Sequence, residues 1–294
     1  MALTDTVAVA SPDLQGQFGK MERMSSKPRS LLLDMFGEYL RYLGGEVRQT
    51  QVTSLLGEFG VAPATIRVTM SRLRNEEWFT SRRDGRETIY ALTDHMRHVL
   101  DEGRERIFAP AAREWSGSWT MVIYQMSESE RLERNQLRKT LAWHGFGPLT
   151  ASTWLAPGDR KAEVHGAVDE LAGDQVDILT CHSEGLDHDR HIAARCWDLA
   201  SLASDYSEFN AAHAALAEQA AELVGAEALL PRTELISTFR HFPFRDPRLP
   251  AELRPSPWSG DEAHDLFRKT YDVLGPAARA HVASVVGGDV PPPD

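Results

Sequence analysis

Pro63-Ala-Thr-Ile-Arg-Val-Thr-Met-Ser-Arg-Leu-Arg-Asn75 places Ile66, Met70 and Leu73 at i, i+4 and i+7. That spacing predicts a helix with one dry face. Pro63 suits its first turn, where the missing N–H has no partner to lose. The opposite face carries Ala64, Thr65, Arg67, Val68, Ser71 and Arg72. Small and hydroxyl side chains let a helix lie deep in a DNA major groove. Arginine can clamp guanine O6/N7 or a phosphate, and Val68 suits a thymine methyl. The plain alternative is a solvated face in a protein-interaction module.

Working outward favours DNA. Upstream, Gln49-Thr-Gln-Val-Thr-Ser-Leu-Leu-Gly-Glu-Phe59 reads as a second short helix, ended at Gly60. Downstream, Trp78-Phe79 and Thr88-Ile89-Tyr90-Ala91-Leu92 flank Asp84-Gly85, a strong two-residue turn signal for a hairpin. Arg82, Arg83 and Arg86 cluster at its tip, where a wing meets the phosphate backbone. The expectation is a winged helix-turn-helix over residues 28–94, with Thr65, Arg67, Val68, Ser71, Arg72, Arg82, Arg83 and Arg86 toward DNA. Leu32, Leu33, Phe36, Tyr39, Leu40 and Leu43 predict a supporting helix over 28–43, stopped by Gly44-Gly45.

The net charge of −11 argues, taken alone, against a nucleic-acid binder. Its distribution does not. From Lys27 to Thr93 there are ten Lys/Arg (27, 29, 41, 48, 67, 72, 74, 82, 83, 86) against eight acids (34, 38, 46, 58, 76, 77, 84, 87). This part is mildly basic and the acidity lies elsewhere. Two cysteines make no disulfide framework and fit a reducing cytoplasm. No stretch reaches the ~18 apolar residues of a membrane span, and no signal pattern opens the chain. Residues 1–27 mix Ser, Gly, Gln and Pro without period, and disorder is expected there.

Thr93 predicts the cap of a connector helix, within residues 95–114. Trp119–Met126 reads as a strand, Ser127–His144 as a helix opened by a Ser127/Glu130 capping box, and Leu149–Ala156 as a strand. A helix near 161–172 and a strand at Val176–Cys181 follow. This βαβαβ order over 115–185 suggests a small ferredoxin-like α/β sandwich. His191–Val224 reads as one long helical region. Leu229–Phe242 and Asp261–Leu274 read as further helices, and Gly287–Asp294 as a frayed tail, giving a helical C-terminal part over 186–287. The fold class is α+β, multidomain.

Four stretches resemble one family, the phenylacetic acid degradation repressors or PaaX-like regulators. They are Pro28-Arg-Ser-Leu-Leu-Leu-Asp-Met-Phe-Gly-Glu-Tyr with Gly44-Gly45, Thr65-Ile-Arg-Val-Thr-Met-Ser-Arg-Leu, Trp143-His-Gly-Phe-Gly-Pro-Leu, and Phe242-Pro-Phe-Arg-Asp-Pro-Arg-Leu-Pro with Trp258-Ser-Gly. The likeness covers about residues 28–275. It implies a winged-helix domain, a Cas2-like central domain and a helical C-terminal domain. It also implies a homodimeric repressor of an aromatic catabolic operon, released by a CoA thioester such as phenylacetyl-CoA. Arg67, Ser71 and Arg72 match the family's recognition helix.

Other chemistry weighs less. Cys181-His182 and Asp187-His188-Asp189-Arg190-His191 invite a metal, but structural zinc favours closely paired cysteines, and a polar loop is the plainer reading. A Cas2-like nuclease would need clustered carboxylates for its metal, and the first central strand offers none before Glu128. An activator or an adaptor using the winged helix is the remaining alternative. No cofactor is implied. A CoA thioester needs cations for its phosphates and an apolar slot for its acyl end. Arg240, His241, Arg245 and Trp258, beside Phe239, Phe242 and Phe244, are the candidates for such an effector site. The alternative is that these aromatics are core and the arginines ion-paired.

Overall fold

Helix Lys27–Glu38 (α1) opens the described part of a computed structural model, which covers residues 27–109, 114–172 and 175–292. The tail expected over 1–27 lies outside the described residues apart from Lys27. Contacts divide the described chain into two units: residues 27–109, 205–243 and 259–292 in one, residues 114–204 and 244–258 in the other.

In the first unit α1 ends at Glu38, five residues earlier than its apolar spacing suggests. Tyr39 leaves helical geometry (φ −138°, ψ −57°) and is wholly buried, and Leu40–Tyr42 forms a 3-10 turn. A short strand Glu46–Arg48 (β1) leads into Gln49–Glu58 (α2). After α2, Gly60 adopts φ 73° and closes a Schellman cap: its N–H bonds Gly57 O at 2.9 Å, and that of Val61 bonds Leu56 O at 3.2 Å. Helix Pro63–Asn75 (α3) follows, with Pro63 in its first turn. Glu77, at φ 60°, caps α3 in the same manner, and its C-terminal contact joins buried Trp78 to buried Leu73. Strands Phe79–Asp84 (β2) and Glu87–Leu92 (β3) complete an antiparallel sheet in the order β1-β3-β2.

The hairpin register differs by one residue from the sequence expectation. Asp84 pairs with Glu87, so the turn is Gly85-Arg86. Glycine at the first central position with φ 60° is the type II′ arrangement, in which Arg86 keeps an ordinary backbone. Thr93 then caps helix Asp94–Phe108 (α4), its hydroxyl accepting from Met96 N at 3.2 Å.

The same unit holds most of the C-terminal helices. Leu199–Gln219 belongs to it from residue 205, with Ala226–Phe239 and Ser259–Val286. The last of these runs 28 residues through Pro276, well past the expected end at Leu274. Pro276 denies a hydrogen bond to the Asp272 carbonyl, and both residues are exposed, so that the carbonyl is not stranded in the core. Phe239 and Phe267 stack at 3.9 Å and Tyr206 and Phe242 at 4.1 Å, so these aromatics are core.

The second unit is built on strands Trp119–Tyr124 (β4), Gly147–Pro148 (β5), Thr153–Pro157 (β6) and Val176–Cys181 (β7), with helices Arg131–Trp143 (α5), Lys161–Ala172 (α6) and Leu186–Cys196 (α7). In chain order the C-terminal helices named above are therefore α8, α9 and α10. The sheet order is β5-β6-β4-β7, all antiparallel, which is the split βαβ arrangement of a ferredoxin-like sandwich. Alternation along β4 sends Val122 and Tyr124 to a core with Leu137, Leu141, Val164 and Val168, and Trp119 to a second core with Ala193, Leu249 and Leu253. The strand expected from Leu149 begins at Thr153, and its partner β5 lies in the Gly145-Phe-Gly-Pro148 break. A side chain at Gly147 would meet Trp197 at 2.5 Å and Cys196 at 2.8 Å, so this position takes only glycine. The long helical region expected over 191–224 is broken at Trp197, whose φ/ψ of −137°/143° is extended; Asp198 then caps α8 by accepting from Ser201 N at 3.0 Å.

Candidate nucleic-acid interface

The inner face of α3 is closed: Ile66, Met70 and Leu73 are each 0% exposed. Thr65, Arg67, Val68 and Arg72 are exposed and Ser71 is half-buried, as their spacing predicts. Val68 is 52% exposed. Among the described residues Arg67 and Arg72 make no ion pair. The end of the helix is fixed to α1 by Arg29, which pairs with Glu76 at 2.7 Å and lies over the Trp78 ring at 4.4 Å.

The three wing arginines do not share one environment. Arg82 holds Glu46 in a bidentate pair, Nε–Oε1 3.1 Å and Nη2–Oε2 2.6 Å. The hydrogen bond from Arg82, with its charge, keeps the Glu46 carboxyl below its usual range. Arg83 is exposed and, among the described residues, donates only a long bond, 3.4 Å, to the Arg86 carbonyl. Arg86 occupies the turn itself and is exposed. Arg48 bridges Asp84 at 3.3 Å and Glu87 at 3.1 Å, and Thr50 donates to Glu87. The sequence reading missed β1 and with it Glu46, because three residues show no periodicity.

The four candidate effector residues fall in different units. Arg240 and His241 belong to the first, Arg245 and Trp258 to the second. Arg240 is largely buried: its Nε lies 3.0 Å from Asp34 Oδ1 and it donates to Ser30 Oγ at 2.6 Å. Burial pushes the Asp34 carboxyl up to about 6, while Arg240 and a hydrogen bond from Ser237 act to lower it. Arg245 is exposed and His241 half-buried. Trp258 packs beside the Trp119 core, with Arg254 5.8 Å from its ring.

Nearby, a second buried cluster forms around Glu38. Arg232, 1% exposed, lies 3.2 Å from Glu38 Oε2, donates to the Tyr39 hydroxyl at 2.5 Å and stacks on Tyr271 at 3.8 Å. Tyr271 donates its hydroxyl to Glu38, and Arg104 approaches the same carboxylate at 3.5 Å. Burial pushes the Tyr271 phenol well up. A signal existed in the sequence, since Ser30, Asp34 and Glu38 make a polar stripe at i, i+4, i+8 on an otherwise apolar helix.

Most of the histidine-rich stretch, expected as a polar loop, is helix α7, with His188 and His191 exposed. Asp189 is 4% exposed and accepts from the Trp119 indole at 2.7 Å; His182 Nδ1 lies 2.9 Å from Gly117 O. Among the described residues no group of three or more His, Cys, Asp or Glu is placed to hold a metal ion. Both cysteines are free, and burial pushes the Cys196 thiol up to about 11. No helix among the described residues is long and apolar enough to cross a membrane.

The chain matches three family descriptions in succession: PaaX-like protein over residues 27–96, PaaX protein central Cas2-like domain over 112–193, and PaaX-like protein C-terminal domain over 197–284. It is 28% identical over 267 residues to the transcriptional repressor PaaX of Escherichia coli (strain K12), covering 86% of this chain and 82% of that protein. In fold it is similar to the uncharacterized protein Rv0674 from Mycobacterium tuberculosis, with a TM-score of 0.54, 22% identity, and coverage of 80% of this chain and 89% of that one.

Proposed function

The chain belongs to the PaaX-like family, and on that premise we propose that it is a DNA-binding transcriptional repressor whose residues 28–94 act as a winged helix-turn-helix. One observation carries the reading. Helix α3 turns a fully buried apolar face inward and presents Thr65, Arg67, Val68, Ser71 and Arg72 outward, with Arg67 and Arg72 in no ion pair among the described residues. Such a helix can enter a major groove, and arginine is the usual reader of guanine there. The named relative is itself a transcriptional repressor. In this reading the protein acts in the cytoplasm as a homodimer on an inverted repeat, because two heads related by a two-fold axis read a palindromic site. Residues 115–185 serve as a coupling scaffold and 186–287 receive the signal.

The finer part of the proposal is the signal itself: an acyl-CoA thioester such as phenylacetyl-CoA, in control of an aromatic-acid catabolic operon. The thioester must bind the DNA-incompetent form better than the competent one, otherwise it shifts nothing. The test begins with sites selected from a random duplex pool and followed by fluorescence anisotropy. Arg67→Ala and Arg72→Ala are each expected to weaken binding about 10- to 100-fold, the loss of a bidentate base contact. Wild-type affinity in both variants would remove α3 from the role. Phenylacetyl-CoA is expected to weaken the complex and phenylacetate to leave it intact; the reverse would sink the thioester while leaving the repressor.

A further inference from the structure

The small sheet β1-β3-β2 has two chemically different faces. Side chains directly opposite in the ladder share a face, so Arg48, Ile89 and Arg82 lie in one row, Glu46, Ala91 and Thr80 in the next, and Asp84 with Glu87 beyond. This face carries three carboxylates and two guanidiniums, closed on one another in the pairs described above. Ile89 is buried between the two arginines, which their aliphatic stems achieve while the charged ends stay in water. The other face begins as core, with Val47, Phe79, Tyr90 and Leu92, and continues outward as Ser81, Thr88 and Arg83. It carries no acid.

Helix α3 contributes to the same side. At 3.6 residues per turn, Arg67, Ser71 and Arg74 align at i, i+4 and i+7 along one edge. Arg74 is exposed and, among the described residues, donates only a 3.4 Å bond to the adjacent Asn75. The helix packs against β2, and Arg83 lies on the Tyr90 face of the sheet; burial raises the Tyr90 phenol, while the charges of Arg74 and Arg83 act to lower it.

Resting on the reading above, we infer that DNA meets the wing on its Arg83 face and not on its Arg82 face. Arg74 and Arg83 are its phosphate contacts, beside the base-reading Arg67, and Arg82 is a positioning residue that braces the hairpin against β1 through Glu46. A phosphate approaching Arg82 would meet Glu46, Asp84 and Glu87 and would have to break a bidentate pair. Around Arg83 the sheet face offers it no carboxylate.

The experiment uses the full chain and a fluorescein-labelled duplex of mixed sequence, with anisotropy read from 50 to 200 mM KCl. Each lost phosphate contact lowers the slope of log affinity against log salt by about 1. Arg74→Gln and Arg83→Gln are each expected to do so. Arg82→Gln is expected to leave the slope unchanged. Glu46→Gln supplies the sign test. If the pair positions the wing, Glu46→Gln and Arg82→Gln both weaken binding. If Arg82 itself holds phosphate, removing the nearby carboxylate tightens binding while removing the arginine weakens it. That opposite pair of signs, or unchanged slopes in both Arg74→Gln and Arg83→Gln, overturns the assignment while DNA binding stands. A wild-type chain that binds no duplex overturns the underlying reading and this one together.

Discussion

Arg232→Met is expected to lower the unfolding free energy by about 3–5 kcal/mol, the usual consequence of taking one partner from a buried ion pair. Arg232 is 1% exposed and supplies Glu38 with a cation at 3.2 Å, the Tyr39 hydroxyl with a donor at 2.5 Å, and the Tyr271 carbonyl with another at 3.2 Å. Methionine fills much of the same volume, so the loss reports charge rather than a cavity. Glu38, itself 6% exposed as a side chain, is left with Arg104 at 3.5 Å and the Tyr271 hydroxyl. Urea denaturation gives the measurement. Arg232→Met with Glu38→Gln should recover part of the loss, because no lone charge then remains buried, and the cycle of four proteins isolates the coupling. A denaturant midpoint equal to wild type in Arg232→Met would show that this cluster does not hold α9 to α1.

That cluster also shows where a sequence stops being legible. The dry face of α3 can be read from thirteen consecutive residues, because the period of a helix is a local property. The Gly60 turn, the Thr93 cap and strand β7 are local in the same way. The hairpin was legible as a hairpin but not in register. Asp84-Gly85 and Gly85-Arg86 are both acceptable turn pairs, and the choice is made by which residues pair across strands. Faces follow from register, so three neighbouring arginines looked alike when one of them is committed to Glu46 on a strand too short to show a period. The helix that continues through Pro276, past its expected end at Leu274, shows a related limit. Proline ends a helix when the carbonyl it strands has no other partner, and whether Asp272 faces water is a tertiary fact. Arg232 and Arg240 find their carboxylates 194 and 206 positions away in sequence, which no spacing argument can reach. Of the candidate interface, the exposed and buried faces of α3 were readable from its period; the difference between Arg82 and Arg83 was not, since it follows from the pairing register.

Arg240→Ala is expected to cost about 3 kcal/mol at pH 7.5 and much less at pH 5. Asp34 and Arg240 are 5% and 13% exposed as side chains, with Nε–Oδ1 at 3.0 Å. Burial is the largest influence on Asp34 and raises it from 3.8 to about 6 even though Arg240 and Ser237 act to lower it and Glu38 adds to the rise. A carboxyl whose folded pKa lies above its unfolded value adds stability that is complete below about pH 4 and is lost as pH rises through about 6. Without Arg240 the main opposing influence is gone, so the carboxyl keeps its proton to higher pH still. At pH 5 Asp34 is largely neutral with or without the arginine, and the variant lacks chiefly the bond to Ser30. At pH 7.5 the variant must either bury an unpaired charge or hold a proton against the solvent. Urea unfolding of both proteins at pH 5, 6, 7 and 7.5 tests this, and a loss that stays constant across the range would show that Asp34 does not govern it. The same signature bears on the proposed effector. A thioester phosphate that takes Arg240 asks of Asp34 what the alanine variant asks, so its binding must be accompanied by proton uptake and must tighten as pH falls toward 6. Proton uptake measured by calorimetry in two buffers of different ionisation enthalpy would place Arg240 at the effector. Binding without it means that Arg240 stays with Asp34 and the thioester is held elsewhere.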